Sequence, residues 1–209
     1  MKRSISVPGV GRVSIQPDIA TLRLGVMLVR QTAAAARESA AVTMTAVLEA
    51  LSAKGVAKKD LRTALLSLSP VTDYSPETGP RVTGYQAANS VAVTVRDLAQ
   101  AGALIDAALA AGATSMDGLD FTVDDPSAAE EQARKQAMAD AERRAETIAQ
   151  AAGVKLGNVI AVTEGERGMP VPFPAPRAMA FKAEAADTPV EAGSQEIVVS
   201  VSVAFAIDG

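Results

Sequence analysis

The residue pattern predicts an α+β protein: a layered sandwich of antiparallel sheets packed by one long and two shorter helices, in two intertwined subdomains. Three observations carry that expectation. Apolar residues alternate with period two at both ends of the chain, over 4–15 and 195–207. Three internal stretches, about 33–54, 97–111 and 126–152, repeat at helical spacing. Strands and helices do not alternate strictly as β-α-β, which favours antiparallel layers over a doubly wound parallel sheet.

The first strand, 4–15, places Ile5, Val7, Val13 and Ile15 on one face together with Gly9 and Gly11. Glycine inside a strand marks a bulge or a close backbone approach, centred here on Pro8-Gly9. Gln16-Pro17-Asp18 is a turn signal. A second strand over 19–31 aligns Ala20, Leu22, Leu24, Val26 and Leu28, and the two together suggest a long antiparallel hairpin.

Thr32 is positioned to cap a helix that runs to about Lys54 and stops at Gly55. Ala36, Ala40, Met44, Val47 and Leu51 form its apolar stripe. A strand over 61–71 puts Ala64, Leu66 and Leu68 on one face, and a loop with Pro and Gly is expected from Asp73 to Pro80. Residues 85–95 alternate cleanly, with Tyr85, Ala87, Val91, Val93 and Val95 opposite Gln86, Ser90 and Thr94. A short helix follows, about 97–111, stopped by Gly112, and Leu119, Phe121 and Val123 mark another strand.

Asp125-Pro126 opens the longest helix, 126–152, with Asp as cap and Pro at the first helical position. Its seam is Ala129, Ala133, Ala137, Ala141, Ala145 and Ala149, small enough for a sheet or helix backbone to lie close. The opposite face carries i,i+4 pairs, Glu130–Arg134, Glu131–Lys135 and Asp140–Arg144. A strand at 157–165 precedes a Pro-rich stretch, and 195–207 is the clearest strand of all, with Ile197, Val199, Val201, Val203, Phe205 and Ile207 on one face. The expected division assigns 1–75 plus 125–209 to a main subdomain and 76–124 to a smaller inserted β-α-β unit.

Composition narrows the function. The chain has 209 residues, 48% apolar but only 3% aromatic, so its core is built from Ala, Val, Leu and Ile. A net charge of −4 without a basic cluster, and few aromatics to stack on bases, speak against nucleic-acid binding. No apolar run is long enough for a transmembrane helix, although peripheral association with a membrane envelope stays compatible. There is no Cys and no His. Disulfides, thiol redox chemistry, imidazole acid–base catalysis and a Ser-His-Asp triad are therefore excluded.

The ordered set of local signatures resembles the SIMPL-domain family. They are Val7-Pro8-Gly9-Val10-Gly11 with Pro17-Asp18-Ile19-Ala20, then Gly55, Asp60 and Thr63, then Gly84-Tyr85-Gln86-Ala87-Ala88-Asn89. Gly118-Leu119-Asp120-Phe121, the Ala-Arg helix around Ala133-Arg134 and Ala141 to Ala145, Gly153-Val154-Lys155-Leu156-Gly157 and Pro189-Val190-Glu191-Ala192-Gly193 complete it. The resemblance implies a two-part α+β fold of uncharacterised function. It also implies export to the bacterial periplasm, assembly into large oligomers, and a link to oxidative-stress tolerance. The family supplies no established catalytic residues, so none is carried over. Lys2 and Arg3 precede a strand rather than an apolar signal block, and family mature chains begin where this one begins. A trimmed export signal is the expectation, with a cytosolic protein as the alternative.

Candidate sites are few. Gly9-Val10-Gly11 lacks the third glycine and the following helix of a dinucleotide loop. Asp117, Asp120, Asp124 and Asp125 form an acidic cluster in which Asp120 and Asp124 share a strand face, but their spacing matches no calcium loop and Asp125 has a capping role. Asn89 and Tyr85 lie on an apolar face, where a buried Asn suggests a hydrogen-bonded structural role. No catalytic, cofactor-binding or metal-binding residue is assigned. The best functional candidate is the apolar arm in the stretch Gly168 to Pro189, which holds five prolines. Its residues Met169, Pro170, Val171, Pro172, Phe173, Pro174, Pro176, Met179 and Phe181 form a possible oligomerisation surface, since polyproline stiffness lowers the entropy lost on docking. The expected function is a non-enzymatic, self-assembling envelope protein; the alternatives are a small-molecule or peptide-binding module using a groove between sheet and helices, or a cytosolic stress or signalling adaptor.

Overall fold

A computed structural model describes residues 3–75, 79–165, 171–173 and 190–208. It contains two antiparallel sheets and three α-helices, as the α+β expectation requires. The chain divides into two units: 1–17 with 123–179 and 193–209, and 18–122 with 180–192. The chain thus passes between the two units more than once.

The expected division drew these boundaries elsewhere, isolating 76–124. Strands Leu61–Ser75 (β3) and Gly79–Val95 (β4) lie on either side of position 76, yet they pair along almost their whole length. Hydrogen-bonded neighbours in one sheet share a core, so the contacts keep them in one unit.

The first unit holds β1 (Ser4–Ile15), α3 (Ser127–Ala152), β6 (Lys155–Glu164), β7 (Val171–Phe173) and β8 (Ser194–Asp208). Its sheet order is β1-β8-β6, with β7 also pairing β8. β8 is the centre, and its buried Ile197, Val199, Val201, Val203 and Phe205 face the α3 alanine seam. The expected seam is buried throughout, from Ala129 to Ala149. Its smallness has a geometric purpose. A Cβ added at Gly11 would sit 1.8 Å from the Ala133 main-chain oxygen, and one at Gly9 would sit 2.0 Å from that of Ala137. β1 runs through Pro8-Gly9 with unbroken register, so the glycines mark a close approach and no bulge.

The second unit holds β2 (Ile19–Arg30), α1 (Ala33–Ala53), β3, β4, α2 (Ala101–Ala110) and β5 (Ser115–Thr122). Its sheet order is β3-β4-β2-β5. The expected β1–β2 hairpin does not form: β1 pairs β8, while β2 pairs β4 and β5. Both strands have a buried face, and each takes partners whose apolar face it can extend; the turn between them carries the chain from one sheet to the other. The α1 stripe Ala36, Ala40, Met44, Val47 and Leu51 packs on Leu22, Leu24, Val26, Val91 and Val93, with α2 adding Leu104 and Ile105. Thr32 caps α1 by accepting from Ala35 N.

Two further differences from expectation are local. β3 extends to Ser75 where a loop was expected from Asp73, because β4 begins at Gly79 and continues the ladder. The β3 register shifts between Thr63 and Leu65, leaving Ala64 as the extra residue of a bulge. That shift moves Ala64 out of phase with Leu66 and Leu68 and lets Leu61, Thr63, Leu66 and Leu68 all lie opposite residues of the β4 inner face.

Candidate functional site

Three places in the described residues combine exposed apolar surface or buried charge with defined geometry. The first is the α3 side of β1. Gln136 Oε1 accepts from Arg12 N at 3.1 Å and Asp140 Oδ2 accepts from Val10 N at 3.1 Å. Residues one helical turn apart thereby satisfy outward N–H groups two residues apart, so the β1 edge is blocked at Val10 and Arg12. Asp140 was expected on the solvated face of α3; it is buried instead, with Arg143 and Arg144 reaching over it. The Val10 N–H bond, opposed by burial and helped by both guanidiniums, holds its carboxyl below the usual carboxylate range. Further along, Arg134 bridges Glu164 and Glu130, and those bonds, Glu164 first, raise its pKa.

The opposite edge of the same sheet differs. β6 is an edge strand whose Val159, Ile160 and Val162 are each about half exposed (48%, 47% and 49%). A recess of about 460 Å³ lies between it and α3, floored by Val159, Phe205 and Met138. No described side chain caps the outward N–H groups of β6 as Gln136 and Asp140 cap those of β1.

The second place is a cleft of about 310 Å³ around Asp60 and Arg96 in the second unit. Asp60, 8% exposed, accepts from Arg96 Nε and NH2, both at 3.1 Å. This pair ties the turn after α1 to the end of β4. Lys54 and Lys59 stand at the rim.

The third place is a groove between α1 and β3. α1 covers β2 and β4, and the inner face of β3 is left bare: Leu66 is 74% exposed and Leu68 47%. One part of the groove, about 390 Å³, is lined by Ala40, Leu66, Leu68, Ala87, Arg37 and Asn89 among others. A second part, about 530 Å³, lies beside Leu48, Leu61 and Val91.

The sequence-derived candidates fall as follows. Asn89 is half-buried on the apolar face expected for it, but makes no hydrogen bond through its side chain with a described residue, so the structural role does not hold. The acidic cluster does not converge: β5 ends at Thr122, so Asp124 is not on a strand face with Asp120, and among the described residues no three acidic side chains gather to hold a metal ion. Asp125 Oδ1 accepts from Ser127 N, and hydrogen bonds from the Ser127 side chain and backbone lower its pKa. In the Pro-rich arm, Val171, Pro172 and Phe173 form β7, paired with Ser194 to Glu196 of β8. Met169, Pro170, Pro174, Pro176, Met179 and Phe181 lie outside the described residues.

With the two-unit fold in place, comparison with known proteins is decisive on kinship. Residues 5–205 match the SIMPL family, a protein of unknown function. The chain belongs to the SIMPL family. It is 36% identical over 210 residues to the 26 kDa periplasmic immunogenic protein of Brucella melitensis, covering 97% of this chain and 84% of that protein. The protein of the same name from Brucella abortus matches equally. The uncharacterized protein YggE of Escherichia coli is 33% identical over 202 residues, 96% of this chain and 78% of that protein. No helix among the described residues of this SIMPL chain is long and apolar enough to cross a membrane.

Sequence reasoning offered a groove between sheet and helices without placing it, and missed the burial of Asp140. The groove had one legible sign, an Asn on an otherwise apolar strand face; Asp140 had none, because its i,i+4 arginine spacing reads as an exposed pair.

Proposed function

We propose that this SIMPL chain is a non-enzymatic periplasmic protein of the bacterial envelope that self-assembles into homo-oligomers and contributes to stress tolerance. The observation that carries assembly is the asymmetry of the first sheet. β1 is blocked at Val10 and Arg12 by α3 side chains, whereas β6 presents half-exposed Val159, Ile160 and Val162 with no such described cap. Long apolar edge strands are pairing templates that solitary proteins blunt with charge, proline or cover. The β6–β8 register shifts around Val159 and Ile160, which twists this edge, but the run Ile160 to Val162 carries neither charge nor proline. The Pro-rich arm, residues 169–181, follows β6 in the chain, and its apolar composition supports a part in assembly. The periplasmic assignment rests on the name of the Brucella relatives.

Light scattering coupled to size exclusion tests the reading. A discrete assembly at micromolar concentration is expected. Ile160→Lys with Val162→Lys, or deletion of 169–181, is expected to lower its mass. A monomeric wild type removes the assembly reading; an oligomer unchanged by the deletion removes the arm. Survival of a deletion strain under peroxide tests the link to stress.

The alternative of a small-molecule module has its own observation in the α1–β3 groove.

A further inference from the structure

We propose that the groove between α1 and β3 is a binding site for a small aliphatic carboxylate, with Arg37 taking the carboxylate and the tail lying over Leu66 and Leu68. The inference stands apart from assembly through β6, which belongs to the other unit. Ligand sites are concave and mostly apolar, with a few polar groups placed to fix orientation, and span about 300–1,000 Å³. The Arg37 part of the groove, about 390 Å³, has that make-up. Ala40, Ala87, Leu66 and Leu68 supply its apolar surface.

Its polar side chains are Arg37, Asn89 and Ser67, and the first two carry the assignment. Arg37 makes no ion pair or hydrogen bond with any described residue, although the chain has more acidic than basic groups to offer. Asn89 sits in register between Val26 of β2 and Leu66 of β3, its amide likewise without a described partner. A guanidinium offers a planar fork that matches a carboxylate, and an adjacent amide can donate to the same group.

Charge selects the sign and the orientation of the ligand. Among the described residues, Arg37 is the only charged one lining its part of the groove. The far part carries Glu49 and Lys58 together, so its charge is balanced. An anionic head therefore belongs at the Arg37 end, and an apolar tail extends toward Leu48 and Leu61. The α1 residues that border the two parts run from Arg37 to Ser52. At the helical rise this is roughly 22 Å, enough to accept an extended chain.

Calorimetric titration of the full chain with octanoate, decanoate and dodecanoate, each below its micellar concentration, tests the assignment. Saturable one-to-one binding is expected, tightening up to roughly fourfold per buried methylene. Arg37→Gln is expected to weaken decanoate about two- to fivefold, the range for an exposed ion pair, and decanol to bind more weakly than decanoate. Ala41→Phe, which fills the groove from an exposed position on α1, is expected to abolish binding. Both substituted residues are exposed, and thermal midpoints matching wild type establish that the variants are folded. No saturable heat at millimolar decanoate overturns the proposal. Binding indifferent to both substitutions places the probe elsewhere and overturns it too. Binding lost in Ala41→Phe but unchanged in Arg37→Gln overturns the anionic assignment.

Discussion

Gly11→Ala is the sharpest perturbation the fold offers. The new Cβ would stand 1.8 Å from the Ala133 main-chain oxygen and 2.7 Å from Ala137 N, where ordinary contact begins at 3.4 Å. Relief requires α3 to retreat by more than 1 Å, since the obstructing atoms are backbone on a continuous helix. A gap of about 0.5–1 Å already forfeits a quarter to a half of the dispersion energy across a packed surface. Here that surface is the whole seam from Ala129 to Ala149, and the bonds from Val10 N and Arg12 N to α3 stretch with it. The expected loss is about 3 kcal/mol or more, the upper end for overpacking. Urea unfolding followed by helical circular dichroism should show a midpoint lowered by roughly 1 M or more. Adding Ala133→Gly should not rescue the variant, because the clash is with main-chain oxygen. Gly157→Ala, whose Cβ would meet Ala206 at 3.2 Å, should cost about 1 kcal/mol or less. A Gly11→Ala loss below about 1 kcal/mol, or full rescue by Ala133→Gly, would refute the close-approach argument.

Two other outcomes follow from the same geometry. Asp140 has a folded pKa below its unfolded value, so its contribution to stability is complete above about pH 4 and is lost as pH falls through the lowered folded value. Asp140→Asn should therefore flatten the acid limb of a plot of urea midpoint against pH; an unchanged limb would show that other carboxylates dominate it. Thr32→Ala removes the acceptor for Ala35 N and should cost about 1 kcal/mol, read from thermal or urea unfolding, with no change in the mass of the assembly.

Legibility varied with the range of the interaction. The α1 stripe, the α3 alanine seam and the inner face of β8 were all readable, because each is a periodicity within one segment that burial then reports faithfully. The α1–β3 groove was not. Its two walls are separate elements, and it exists only because α1 lies over β2 and β4 and leaves Leu66 and Leu68 uncovered. Asn89 gave the single clue, and its apolar parity was read as a structural bond that the fold does not supply. The Pro-rich arm stood out by composition, yet only Val171 to Phe173 has a described place, on the edge of β8.

The sequence by itself determined which faces are apolar, where α1 is capped and stopped, and that imidazole and thiol chemistry are excluded. These are local properties, set by side-chain volume, backbone freedom and the groups a chain possesses. Strand pairing belonged to the tertiary structure alone. Adjacency along the chain suggested that β1 and β2 pair; instead β1 found β8, nearly two hundred positions away, and β2 found β4 and β5. A strand's alternation states that one face must be covered without naming the cover. That choice fell to the fit of Gly9 and Gly11 against the α3 backbone, a contact no single segment encodes.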